Sequence, residues 1–166
     1  MSNIGVTVGS AIAKDVLSHL RHRAEMVAFM RGAIDDDEAV VDETWLVPDD
    51  AVTFGDWHVA LTDEGRQNLM RWAVGATLLI EVHSHGEYGG PAAFSATDLD
   101  GLAGWVPHLT WRLPGLSYVA LVLGAGTFDG LAWLDGVGPH VVGRIHFSGE
   151  GEWTATGRSI SRWNLR

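Results

Sequence analysis

Two histidines and an aspartate near the middle of this chain have the types and spacing to hold a metal ion. They sit in Glu81-Val82-His83-Ser84-His85 and in Ser95-Ala96-Thr97-Asp98. The run from Ala76 to Val82 is apolar and predicts a buried strand. Side chains alternate across a strand, so His83 and His85, two apart at its end, share a face. Two imidazoles on one face can hold a single ion, and Asp98, beyond a Gly-rich loop, can supply a third ligand. Two histidines, one carboxylate and an open fourth position for water describe a hydrolytic zinc site. Blander readings exist for each residue. One His can be buried and hydrogen-bonded while the other lies on the surface. Ser95-x-x-Asp98 is also a capping box, in which two side chains satisfy free amides at a helix start. Capping and ligation are compatible, because an aspartate on a first helical turn can aim its carboxylate at a metal. Glu87, in the same loop, is an alternative third ligand.

The elements that must position these residues follow from local signals. Ser10 predicts the cap of a helix over 11–23, with an apolar face of Ala11, Val16, Leu17 and Leu20. Residues 25–34 read as a buried strand, 35–38 as a turn and 39–47 as a second strand, a hairpin-like pair. Residues 48–55 read as a loop and 57–61 as a short strand. Thr62 is a good N-cap, with Asp63 and Glu64 favoured by the helix dipole, and that helix should stop at Gly75. Ser95 opens another helix, expected to end near Gly104. Strands are expected over 117–123, 127–134 and 141–147. Irregular alternation of strands and helices predicts an α/β or α+β sheet with helices on both faces.

Size and composition bound the possibilities. At 166 residues the chain suits one domain with a sizeable core, expected over 1–150 with a polar, basic tail over 151–166. The tail carries Arg158, Arg162 and Arg166 and is expected to fray. Cysteine is absent, which excludes disulfides and thiolate ligands and suits the cytoplasm. No signal peptide and no membrane-spanning run is expected. A net charge of −10 argues against nucleic acid as the main partner. Eight tryptophans read as core filler or, as with Trp105 and Trp111, as lining of a partner surface. The acidic stretch 35–50 reads as a solvated hairpin or as a docking face for a basic partner.

Taken in order, Glu25, His83-x-His85 and Ser95-x-x-Asp98 resemble the motif of the JAMM (JAB/MPN+) metalloprotease family. That motif is a His-x-His pair followed by Ser-x-x-Asp, with a distant upstream Glu. The segment from Arg23 to Gly32 is similar to the family's Glu segment, and the resemblance covers roughly residues 11–125 in element order. Gly86 stands where the family usually has Pro, and the twelve residues 86–97 between His85 and Asp98 exceed its usual spacing. The resemblance implies the MPN/JAB fold, a curved mixed sheet flanked by helices. It implies zinc held by His83, His85 and Asp98, with Glu25 as general acid/base and Ser95 stabilising the oxyanion. Burial beside the run 26–30 would raise the Glu25 pKa, which suits proton transfer. It also implies an isopeptidase or peptidase acting on a ubiquitin-like protein, cleaving after its C-terminal Gly-Gly. A silent protein-binding module, a peptidoglycan-directed peptidase and another His-x-His hydrolase are the rival readings. The glycines of 86–94 suggest a lid.

Overall fold

The computed structural model describes residues 3–21, 25–54, 59–85 and 91–166. Expectations that fall on Arg23, Trp57, Glu87, His22, His58 and most of the suggested lid therefore lie outside the described residues. The strands are β1 (Asn3–Val8), β2 (Val27–Asp35), β3 (Glu38–Leu46), β4 (Val52–Phe54), β5 (Val59–Leu61), β6 (Leu78–Ser84), β7 (Ser117–Leu123), β8 (Thr127–Leu134), β9 (Val137–Phe147) and β10 (Thr154–Ala155). The helices are α1 (Ser10–Leu20), α2 (Asp63–Ala73), α3 (Ala96–Arg112) and α4 (Ser159–Asn164). None is long and apolar enough to cross a membrane.

Seven strands close on themselves in the order β8-β7-β6-β2-β3-β1-β9, and β9 returns to pair with β8. This closed barrel overturns the expected helix-flanked, curved MPN/JAB sheet. The physical reason lies in two places. β1, not anticipated as a strand, lies parallel between β3 and β9 and joins them. Its alternation buries Ile4, Val6 and Val8 completely. β9 also begins at Val137, earlier than expected, and that extra length supplies its pairing with β8. A bulge at Arg31/Gly32 bends β2 where it meets β3. Only glycine fits at 32, because a Cβ there would stand 1.9 Å from the Val40 carbonyl oxygen.

β6 and β7 are buried on both faces, which explains why apolar residues dominate both, with Glu81 and His83 among the exceptions in β6. One face, with Ile80, Val82, Val119 and Leu121, packs with β1, Met26, Met30 and the apolar face of α1. The other, with Leu79, Tyr118, Ala120 and Val122, packs with α2 and α3. Thr62 caps α2 by accepting the Gly65 amide at 3.0 Å. α1 is capped by the backbone of Gly9 without a side-chain bond, and Ser10 is its first residue, so the expected Ser10 cap is not formed. α3 runs to Arg112 rather than ending near Gly104. Its buried residues Leu99, Leu102, Val106 and Leu109 keep helical spacing through Pro107, and that burial outweighs the lost amide.

The C-terminal stretch packs instead of fraying. Trp153 meets Phe147 edge-on with ring centroids 5.7 Å apart, and Trp163 meets Trp133 at 5.3 Å. Ser159 is fully buried and bonded to Asp129.

Candidate metal centre

The strand alternation that buries β6 also builds the site. Ser84 turns to one side, where its hydroxyl donates to the Leu20 carbonyl at 3.1 Å. His83 and His85 turn to the other. His83 pairs with Val27 on β2 and Val122 on β7, so it is fixed between two strands. It is 6% exposed, and the Phe94 ring lies 5.6 Å from its own. His85 follows the strand, with its amide donating to the Leu123 carbonyl at 3.3 Å.

Asp98 arrives from the first turn of α3. The capping box forms in full: the Ser95 hydroxyl accepts the Asp98 amide at 3.1 Å, and Asp98 Oδ2 accepts the Ser95 amide at 2.7 Å. The same Oδ2 lies 3.1 Å from His85 Nε2 and 3.6 Å from His83 Nε2. The two Nε2 atoms are 3.2 Å apart. His83, His85 and Asp98 thus form a group able to hold one metal ion. The three separations test the fit. Ligands at zinc-like bond lengths on a regular tetrahedron stand about 3.3–3.4 Å from one another. The observed triangle has those edges to within a few tenths of an ångström, with all three donor atoms converging.

The electrostatics are those of a site that concentrates negative charge around imidazoles. Burial alone would push the His83 pKa down. The Asp98 and Glu81 carboxylates outweigh it and raise it to about 10. Burial alone would likewise raise Asp98, but His83, His85 and Ser95 hold it well below the usual carboxylate range.

Glu81 was not singled out as a site residue by sequence reasoning. Its Oε1 stands 3.7 Å from His83 Nδ1, the nitrogen turned away from the triad, and its Oε2 accepts the Tyr118 hydroxyl. Burial and Glu81 together raise the Tyr118 pKa, so the phenol stays a donor. A carboxylate therefore stands behind the His83 ring, at ion-pair rather than hydrogen-bond distance. The signal was present in Glu81-Val82-His83: a residue two before a ligand shares its face of a strand.

Glu25 lies half-buried in the bend before β2. The Ser84 amide donates to the Met26 carbonyl at 3.1 Å, so the β2–β6 contact continues one residue past Val27 and His83. Ser95 has its hydroxyl proton on Asp98 Oδ2 at 2.7 Å. A cavity of about 690 Å³ opens beside the triad, with Glu81, His83 and Asp98 in its wall and Phe29, Leu61 and Trp105 among its apolar residues.

No family model matches this chain, and no curated protein matches it. Among solved structures it is similar to the solution structure of protein DSY2949 from Desulfitobacterium hafniense. The two share 18% identity and a TM-score of 0.47 over 87% of this chain and 97% of the other.

Proposed function

We propose that this chain is a zinc-dependent peptidase of the JAMM kind, acting on an amide or isopeptide bond after the C-terminal Gly-Gly of a ubiquitin-like protein. The observation that carries the reading is the convergence of His83, His85 and Asp98 on one point at the wall of a large cavity. The enzyme class and substrate come from the motif resemblance, and a cytoplasmic location from the absence of cysteine.

Zinc, held by His83, His85 and Asp98, would supply a Lewis acid that polarises a scissile carbonyl and acidifies water. The protein's own groups do the rest. Glu25 accepts a proton from the attacking water and passes it to the departing amine. Ser95 donates its hydroxyl to the developing oxyanion, turning away from Asp98 to do so. Glu81, 3.7 Å from His83 Nδ1, would close to a hydrogen bond that orients the ring. β5 pairs only with β4 among the described residues, and Val59, Ala60 and Leu61 line the cavity. Its open edge suits an extended tail, which would bind by backbone hydrogen bonds.

Two measurements test this. Elemental analysis should find about one zinc per chain in wild type and none in His83→Ala or Asp98→Ala, as expected for a three-ligand protein site. Glu25→Gln should keep the metal and lose cleavage of a Gly-Gly-linked fusion. Full activity in that variant would refute the assigned proton transfer.

A further inference from the structure

A second groove lies between α2 and α3, with a volume of about 400 Å³. Arg66, Trp105 and His108 line both this groove and the main cavity, so the two form one continuous surface. Arg71 and Arg112 complete its far side. In a chain of net charge −10 with 11 basic residues, three arginines and, among the described residues, no carboxylate line this one groove.

Several arginines outside the groove have carboxylate partners. Arg31 pairs with Glu43, Arg144 with Glu38 and Arg166 with Asp100. Within the groove, Arg66 meets Asp63 at 2.8 Å on the exposed surface. Arg71 donates only to the side-chain oxygen of Asn68, and Arg112 lies 6.0 Å from the centre of the Trp111 ring. Among the described residues neither Arg71 nor Arg112 has a carboxylate partner. Each sits in the last turn of its helix, where a cation is favoured by the dipole. That accounts for their charge but not for the aromatic ladder beside them. Trp105, His108 and Trp111 follow one another along α3 with centroids 5.9 and 6.3 Å apart, and Trp111 is 73% exposed. Burial does not explain so exposed an indole, whereas aromatic and arginine side chains together are what a polypeptide-binding surface is built from.

We infer that this groove holds a carboxylate-rich polypeptide segment of the substrate. The inference rests on the peptidase reading for the word substrate, but the binding it asserts does not need a metal. An anionic strand of nucleic acid would also meet arginines and stacked rings. It is the weaker fit, because three cations on a protein of net charge −10 would face a continuous phosphate backbone. Spaced carboxylates on a peptide ask for no more than Arg71 and Arg112, the two without a carboxylate partner among the described residues.

The test is fluorescence anisotropy on the full chain, metal-free and zinc-loaded, at low ionic strength. The probes are a fluorescein-labelled hexaglutamate peptide, its hexalysine counterpart and a labelled hexathymidylate. Hexaglutamate should bind in both metal states and be released by molar salt, and the lysine peptide should not bind. The double substitution Arg71→Glu, Arg112→Glu should weaken binding tenfold or more. Trp111→Ala should weaken it without changing salt sensitivity. Arg158→Glu, an exposed arginine elsewhere, should leave it unchanged. Circular dichroism confirms that each variant is folded. Equal affinity in wild type and the double variant, no binding at low salt, or tighter binding of hexathymidylate would overturn the inference. Hexaglutamate binding in a protein that takes up no zinc and cleaves nothing would uphold the groove and sink the peptidase reading. Cleavage without acidic-peptide binding would do the reverse.

Discussion

Zinc uptake by this site should be a proton-release reaction. In the metal-free protein His83 is held in its protonated form by Asp98 and Glu81, whose pull outweighs the burial that would otherwise discharge it, and its pKa is raised to about 10. A metal ligand must be neutral imidazole, so zinc has to displace that proton. At pH 7 the site lies below the raised His83 value, so binding must expel that proton, at about 1.4 kcal/mol for each pH unit of the gap. The sign follows directly. Apparent affinity rises with pH, about tenfold per unit, and the rise flattens as pH passes through about 10. Calorimetric titration of chelator-stripped protein in two buffers of different ionisation enthalpy reads the proton count, and chelator competition at several pH values reads the slope. At least one proton per zinc at pH 7 is expected. Glu81→Gln removes one of the two charges that hold the proton, so release in that variant should fade at lower pH. Affinity independent of pH, with no proton released, would mean that His83 is not displaced by metal, and the ligand assignment would fall.

Other perturbations separate folding from chemistry. Gly101 faces the cavity from the middle of α3, and a Cβ there meets no atom within 4 Å. Gly101→Leu should therefore stabilise the helix by roughly 0.5–1 kcal/mol while lowering kcat/KM on a Gly-Gly-linked substrate by tenfold or more; unchanged kinetics would show that the substrate does not use this cavity. Ser159 accepts the Phe94 amide at 3.0 Å and donates to Asp129 at 2.6 Å, all buried. Ser159→Ala should cost about 1–3 kcal/mol and lower Tm by several degrees, read by thermal denaturation. A Tm unchanged within a degree would mean that water replaces the hydroxyl.

What could be read from the sequence were the features written in local order. β7 and β8 lie where their apolar runs place them, and the Thr62 cap forms as its neighbours imply. The proximity of His83 to His85 follows from strand alternation alone. Closure of the barrel was not legible, because its partners are far apart in the chain. β1 at Asn3–Val8 pairs with residues near 38 and near 141, and no periodicity within six residues announces either. The role of the tail was hidden for the same reason. Arg158, Arg162 and Arg166 suggest a solvated end, yet Ser159 between them is the residue that docks. The far half of α3 was concealed by Gly104 and Pro107, two breakers overruled by the burial of Val106 and Leu109.

The closed barrel and the docked tail matter to the site because they hold its two halves independently. His83 is clamped by β2 and β7, strands of a barrel with no open edge at that point. Asp98 belongs to a different element, and its position depends on where α3 begins. That start is pinned through Phe94, whose amide goes to Ser159 and whose carbonyl accepts from Arg162 at 3.2 Å. Ser159 in turn is tied to Asp129 on β8, one strand beyond β7. The path from His83 to Asp98 therefore runs through barrel, tail and helix, independently of the glycine-rich segment that joins them along the chain. A ligand triangle with edges of 3.1, 3.2 and 3.6 Å is thus fixed before any ion arrives. Preorganisation of this kind requires supporting contacts around each ligand. Here β2 and β7 supply them for His83, and Ser95 with the docked tail supplies them for Asp98.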